Sequence, residues 1–172
     1  MIDLLAKAYK RGLWSSLVWL FWKIKFAIFS ACGVKEVTSK YQVKLAANYP
    51  DITFRFYFFG SYGYYLSDIL RSQTKEFSFI DVGANQGLYS ILAGKNPHCK
   101  SVLSFEPIDE TYDFLTRNIA INSVGDTCRA FKKAIDNVAE TKEINFDSSH
   151  TGVTTLAGEH VSTGSMKEIE TV

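Results

Sequence analysis

The segment running from Phe77 through Ser-Phe-Ile-Asp-Val-Gly-Ala-Asn-Gln-Gly-Leu-Tyr-Ser to Ile91 constrains this chain more than any other. Its apolar run from Phe77 to Val82 reads as a buried strand, and the small residues that follow read as a turn restarting as a helix near Gln86. Gly83 and Gly87 bracket that turn, and each lets backbone come close to something large. Asp81 falls at the carboxyl end of the strand, where open α/β sheets bind their ligands. A second strand, Ser101 to Phe105, ends in Glu106, roughly twenty residues further on, where a nucleotide-binding βαβ unit keeps its ribose-gripping carboxylate. Turn and acid together point to a nucleotide-like cofactor.

The turn itself decides which cofactor. A dinucleotide fingerprint, Gly-x-Gly-x-x-Gly, rests a pyrophosphate on the helix N-terminus. Counting from Gly83, its second and third glycine positions hold Asn85 and Leu88 here. A side chain where backbone should touch phosphate disfavours NAD. No Gly-Lys-Ser or Gly-Lys-Thr follows the strand, which excludes a Walker loop.

The pattern Asp-x-Gly-x-x-x-Gly instead resembles the first motif of class I S-adenosylmethionine-dependent methyltransferases. Three stretches narrow the resemblance: residues 81–87 with the Gly-Ala-Asn turn, Ser104-Phe105-Glu106-Pro107, and residues 115–122 ending in Asn118-x-x-x-Asn122. Together they are similar to the FkbM family of methyltransferases, over about Phe77 to Asp147. The resemblance implies S-adenosylmethionine as cofactor and a hydroxyl of a small molecule or glycan as acceptor. It closes Gly83, Ala84 and Gly87 around the methionine portion, which Asp81 organises, and counts Asn85 among the cofactor-binding residues. Glu106 would accept from both ribose hydroxyls, and Asp136 is a weaker candidate for the adenine side. It assigns no catalytic base.

Each of these residues also has a purely structural reading. The glycines suit any tight strand-to-helix turn, and Glu106 before a proline suits a solvated loop acid, as most glutamates are exposed. A carboxylate at a strand end is not expected to pack in the core. Asn118 and Asn122 suit a helix end, because Asn tolerates the left-handed conformation.

The 172 residues, 47% hydrophobic and 15% aromatic, suit a single folded domain with a sizeable core. A formal net charge of +1 offers no general field for nucleic acid. Cys32, Cys99 and Cys128 are odd in number and far apart, with neither zinc nor disulfide spacing, so a reduced, cytoplasmic setting is expected. His98, His150 and His160 are scattered, and no metal site is read from them.

The expected fold is α/β, the first half of a Rossmann-like class I methyltransferase sheet with its strands in the order 3-2-1. Its third strand is expected from about Cys128 to Ile135. The helices run from Gln86 to about Lys95 and from Asp109, as cap, to Asn122. Residues 73–172 would form this partial cofactor domain, and residues 1–72 an N-terminal extension. The alternation in Glu140 to Asp147 suggests a further strand or hairpin, and Ile169 to Val172 hint at another. The resembled family continues for a comparable length beyond this point, which reads as an N-terminal portion or truncated product. Ser148 to Lys167, rich in Ser, Thr and Gly, reads as a loop, either a lid over the cofactor face or a mobile surface segment.

In the extension, residues 13–31 read as a helix with a stripe at Leu13, Leu17, Leu20, Ile24 and Ile28. Lys23 and Lys25 interrupt it, each costing about 2.5–3.5 kcal/mol at the centre of a membrane span. A helix packed on its own domain or on a second subunit competes with peripheral attachment to a membrane surface, which favours Trp and Lys. Residues 52–58 alternate after Pro50-Asp51 and read as a strand, paired in a hairpin with Tyr41 to Leu45. Tyr62, Tyr64 and Tyr65 then precede a helix from about Leu66 to Ser72, as pocket lining or as packing.

Overall fold

The computed structural model describes residues 2–153, 155–156 and 165–172, with side chains described from Ser15 on, those of Val153, Thr155 and Leu156 excepted. The chain divides between Lys35 and Glu36 into two compact units. The first is helix α1 (Ile2–Ala31), which begins well before the expected Leu13. Along it Leu17, Trp19, Leu20, Phe21, Ile24 and Ile28 are all exposed; the Leu13 side chain lies outside the described residues. The lysines fold back on the indoles: Lys23 Nζ lies 3.6 Å from the centroid of the Trp19 ring and Lys25 Nζ 4.5 Å from that of Trp22. No described helix is long and apolar enough to cross a membrane.

In the second unit, β3 (Phe77–Val82), β4 (Cys99–Phe105) and β5 (Cys128–Phe131) form a parallel sheet in that spatial order. Helices α4 (Leu88–Gly94) and α5 (Asp109–Ile121) connect them. This is the expected half of a doubly wound, Rossmann-like α/β sheet. Register sets Asp81 opposite Ser104 and Val82 opposite Phe105, so both strands end level with each other. Helix α4 buries Leu88, Ile91, Leu92 and Ala93, and α5 buries Leu115 and Ile119 one turn apart. On the other side of β3 the alternation leaves Ile80 and Val82 61% and 60% exposed.

Asp109 does not cap α5. Glu106 already holds the Ile108 amide, so Ile108 takes the N-cap position and Asp109 becomes the first helical residue, pairing instead with Lys132 at 2.7 Å. Strand β5 stops short of Ile135 because the backbone at Ala134 turns to a different partner. Its amide donates to the Glu170 carbonyl at 2.9 Å and its carbonyl accepts from Val172 at 3.0 Å.

The expected strand at residues 52–58 is helix α2 (Ile52–Phe59). Asp51 carries the reason: its carboxylate accepts from the Thr53 and Phe54 amides, an N-cap that ends the extended chain. Phe54, Tyr57 and Phe58 then share one buried helical face, a spacing that a short Phe-rich run satisfies as well as alternation does. The hairpin partner is different too: β2 (Lys44–Ala46) pairs antiparallel with β1 (Glu36–Thr38). Helix α3 (Tyr64–Ser72) follows.

After β5 the chain makes a second, antiparallel sheet, β7-β6-β8, from β6 (Thr141–Phe146), β7 (Thr155–Leu156) and β8 (Ser165–Glu170). Ile169 therefore belongs to β8, which pairs with β6 rather than extending the parallel sheet. Ile144, Phe146 and Ile169 pack with Ile108, tying this sheet to the start of α5. Within the expected loop 148–167, Thr151–Val153 form a 3-10 turn, while residues 154 and 157–164 lie outside the described residues.

Candidate functional site

A cleft of about 250 Å³ opens at the carboxyl ends of β3 and β4. Gly83 and Asn85 of the turn form one wall, Glu106 and Pro107 a second, and Thr151 and Gly152 a third, with Tyr62 and Ile144 completing the lining. No lysine, arginine or histidine is among these residues.

Glu106 is the centre of the arrangement. Only 6% exposed, its carboxylate accepts from the Asn85 amide at 2.9 Å and from the Ile108 amide at 3.1 Å, one on each oxygen. It thus clasps the turn after β3 to the start of α5. The Gly83 and Ala84 amides reinforce the clasp by donating to the Phe105 carbonyl, both at 2.9 Å. The expectation of an unpacked strand-end acid is overturned, because two backbone donors draw this carboxylate inward. Burial pushes the Glu106 carboxyl up to about 7, against the pull of its two amide donors.

Asp81 is also buried, but it lies below the lining rather than in it. Its Oδ2 accepts from Ser90 Oγ at 2.5 Å, and Ser90 Oγ lies 2.7 Å from Ser104 Oγ, joining β3, α4 and β4. Burial raises its pKa. Asn85 takes the left-handed conformation (φ 50°) and turns Oδ1 back to the Gln86 amide at 2.9 Å. The two glycines act differently. At Gly83 (φ 71°) an added Cβ would meet nothing within 4 Å, whereas at Gly87 (φ 86°) it would lie 2.6 Å from Leu115 Cδ1. Gly83 keeps the cleft wall open, and Gly87 lets α4 and α5 close. Ala84 is buried behind them. The structure does not bring Asp136 to this cleft: its Oδ2 accepts from Lys142 Nζ at 2.6 Å in an ion pair.

Sequence reasoning missed the group that holds the third wall. Asp51, fully buried, accepts from the Thr53, Phe54 and Thr151 amides, each at 3.1 Å, and from Gln86 Nε2. Thr151 Oγ1 lies 3.1 Å from Asp51 Oδ2 and 3.2 Å from Asn85 Oδ1, so its proton is shared between them. The available signal was Pro50-Asp51-x-Thr53, a helix-start pattern.

Asn122 is the C-cap that ends α5, as the helix-end reading has it, but it does so without the left-handed conformation, and Asn118 lies inside the helix. Asn122 keeps φ at −94°, and Ser123 takes the left-handed turn at 55°. The two asparagine side chains hold β2. Asn118 Oδ1 accepts from the Ala46 amide at 2.6 Å, and Asn122 Oδ1 from that of Lys44 at 3.0 Å. Asn118 Nδ2 also donates to the Gln86 carbonyl at 2.8 Å, linking α5 to the turn.

The acceptor that the cleft offers fits a ribose better than a phosphate. A carboxylate has about four lone-pair positions, and Glu106 uses two on amides, leaving two for hydroxyl donors. A phosphate would meet this acid with no cation in the lining to offset the repulsion.

No family model matches the chain. Over 81 residues, 46% of the chain, it is 35% identical to Methyltransferase sdnD of Sordaria araneosa, and it spans 31% of that protein's length. Similar solved structures include the ribosomal protein L11 methylase of Lactobacillus delbrueckii subsp. bulgaricus, at 28% identity and a TM-score of 0.35 over 40% of this chain and 35% of that one. Methanocaldococcus jannaschii Trm5 in complex with adenosine aligns at 15% identity and a TM-score of 0.43, over 61% of this chain and 34% of that one.

Proposed function

We propose that this chain carries the cofactor half of a methyltransferase of the FkbM type, transferring a methyl group from S-adenosylmethionine to a hydroxyl of a small molecule or glycan. The observation that carries this reading is Glu106, fixed by two backbone amides beside the open wall at Gly83, with lone pairs left for a ribose diol. The identity with Methyltransferase sdnD supports its coarser part, methyl transfer. In this reading residues 73–172 form the cofactor-binding part, and residues 1–72 an extension that lends Tyr62 to its cleft and, through Asp51, anchors the Thr151 wall.

When bound, S-adenosylmethionine supplies the electrophilic methyl carbon. Glu106 orients the ribose. Gly83 and Asn85 wall the methionine portion, and Asp81, through Ser90, fixes the strand end from which that wall springs. Holding donor and acceptor in line is the main source of acceleration in such a transfer. Calorimetry tests the reading: S-adenosylmethionine should bind and NAD should not, and the reverse would overturn it.

A second reading is favoured by α1, whose exposed Trp19, Phe21, Ile24 and Ile28 accompany lysines stacked on indoles. Here the helix works in the cytoplasm, lying on a membrane surface or against a second copy, and nucleic acid is no partner because net charge is only +1. Vesicle co-sedimentation with and without residues 1–35 separates the cases; equal pelleting removes the membrane version.

A further inference from the structure

At the amino-terminal end of the parallel sheet, opposite the Glu106 cleft, lies a larger concavity of about 370 Å³. Tyr41 and Gln42 of the β1–β2 turn, Arg71 of α3, and Leu92, Lys95 and Asn96 at the end of α4 line it. Its chemistry is the inverse of the cleft's. Arg71 and Lys95 enter it from different helices, and no carboxylate is in the lining. Both cations are aimed at the same turn: the Arg71 guanidinium donates to the Tyr41 carbonyl, and Lys95 Nζ donates to the Gln42 carbonyl at 3.2 Å.

Among the described residues, Arg71, Lys95 and the neighbouring Lys44 make no ion pair with an acid. Burial first, then repulsion from Lys44 and Arg71, holds the Lys95 ammonium pKa down. Cations do suit helix C-termini, and each of these sits at one. That accounts for either alone, but not for their convergence, unneutralised, on one concave surface floored by Leu92. An arginine fork and a lysine keep several N–H donors beyond those spent on carbonyls.

We propose that this concavity is a second, anion-binding site, which takes a small carboxylate- or phosphate-bearing molecule with an apolar body. The anionic group lies between Arg71 and Lys95, and the apolar body rests over Leu92.

The test titrates the full chain with benzoate, phenyl phosphate and inorganic phosphate, followed by backbone amide NMR. Expected are saturable shifts at Gln42, Lys95 and Asn96, tighter for phenyl phosphate than for inorganic phosphate. Lys95→Gln should weaken binding about tenfold, as for one lost charge-assisted contact. Lys44→Gln, outside the lining, should weaken it only about twofold through the field. Lys100→Gln, whose lysine pairs with Glu76 at 2.7 Å elsewhere on the surface, should change nothing. Shifts that fail to saturate with all three anions, or equal weakening by Lys100→Gln, would overturn the proposal. Inorganic phosphate binding as tightly as phenyl phosphate would overturn the apolar part of the site.

Discussion

The second unit buries one carboxylate at the start of α2 and another at the end of β4, and they are opposite in kind. Asp51 is saturated: three amides, the Gln86 amide group and the Thr151 hydroxyl all donate to it. Glu106 has two amide donors and faces the cleft. A saturated buried acid has nothing left to offer a ligand and holds elements together. An undersaturated one is held just firmly enough to be aimed. The difference teaches that burial of an acid does not by itself mark a binding residue; its unspent hydrogen-bonding capacity does.

The sharpest way to break the contrast is Asp51→Ala. It removes a helix cap and strands the Thr151 and Gln86 donors, so stability should fall by about 3–5 kcal/mol. Urea unfolding measures this, and a loss under about 1 kcal/mol would mean the hub is decorative. Glu106→Ala should act mainly on the ligand, weakening S-adenosylmethionine about thirty- to a hundredfold by calorimetry, as two charge-assisted bonds are lost and water partly replaces them. Folding stability should fall too, by about 1–2 kcal/mol, because the Asn85 and Ile108 amides lose their acceptor.

The glycines sharpen the same division between structure and ligand. Gly87→Ala meets Leu115 in a left-handed backbone and should cost about 2–3 kcal/mol of stability. Gly83→Ala should cost about 1 kcal/mol, from its backbone alone, while crowding the cleft.

Acidity gives a smaller effect with a definite sign. A ribose hydroxyl donates to the ionised carboxylate, so cofactor affinity should fall as pH drops through about 7, by up to about tenfold per unit. The empty chain responds oppositely. Its folded Glu106 holds a proton more tightly than the unfolded one, a contribution full below about 4.3 and lost as pH rises through about 7. Calorimetry and thermal melts from pH 5 to 8 read the two trends. Asp136→Asn should be the weakest of all, leaving cofactor affinity unchanged, since its partner is Lys142 at the surface.

The parallel sheet was legible because each strand and helix announces itself locally: Phe77 to Val82, the glycine turn, and Leu115 with Ile119. The corrections share a different cause. Residues 52–58 alternate on paper, yet one capping acid makes them helical. Asn118 and Asn122 look like no more than helix terminators, yet their amides are spent 72 and 78 residues away on β2. The third cleft wall depends on Thr151 meeting Asp51 across 100 residues. Such long-range polar pairings leave no periodic trace, and no single stretch of sequence contains both halves of them.

The bare side of β3 bears on calorimetry of the chain itself. With Ile80 and Val82 already 61% and 60% in water, unfolding wets less new apolar surface than it would for a sheet covered on both faces. Heat capacity of unfolding scales with that newly wetted surface, near 12–15 cal/mol/K per residue for an average globular protein, and urea sensitivity scales with it too. Both should fall below the norm for this length. The stability curve would then be a flatter, broader dome, so that cooling and warming change the chain's foldedness less than its size would imply.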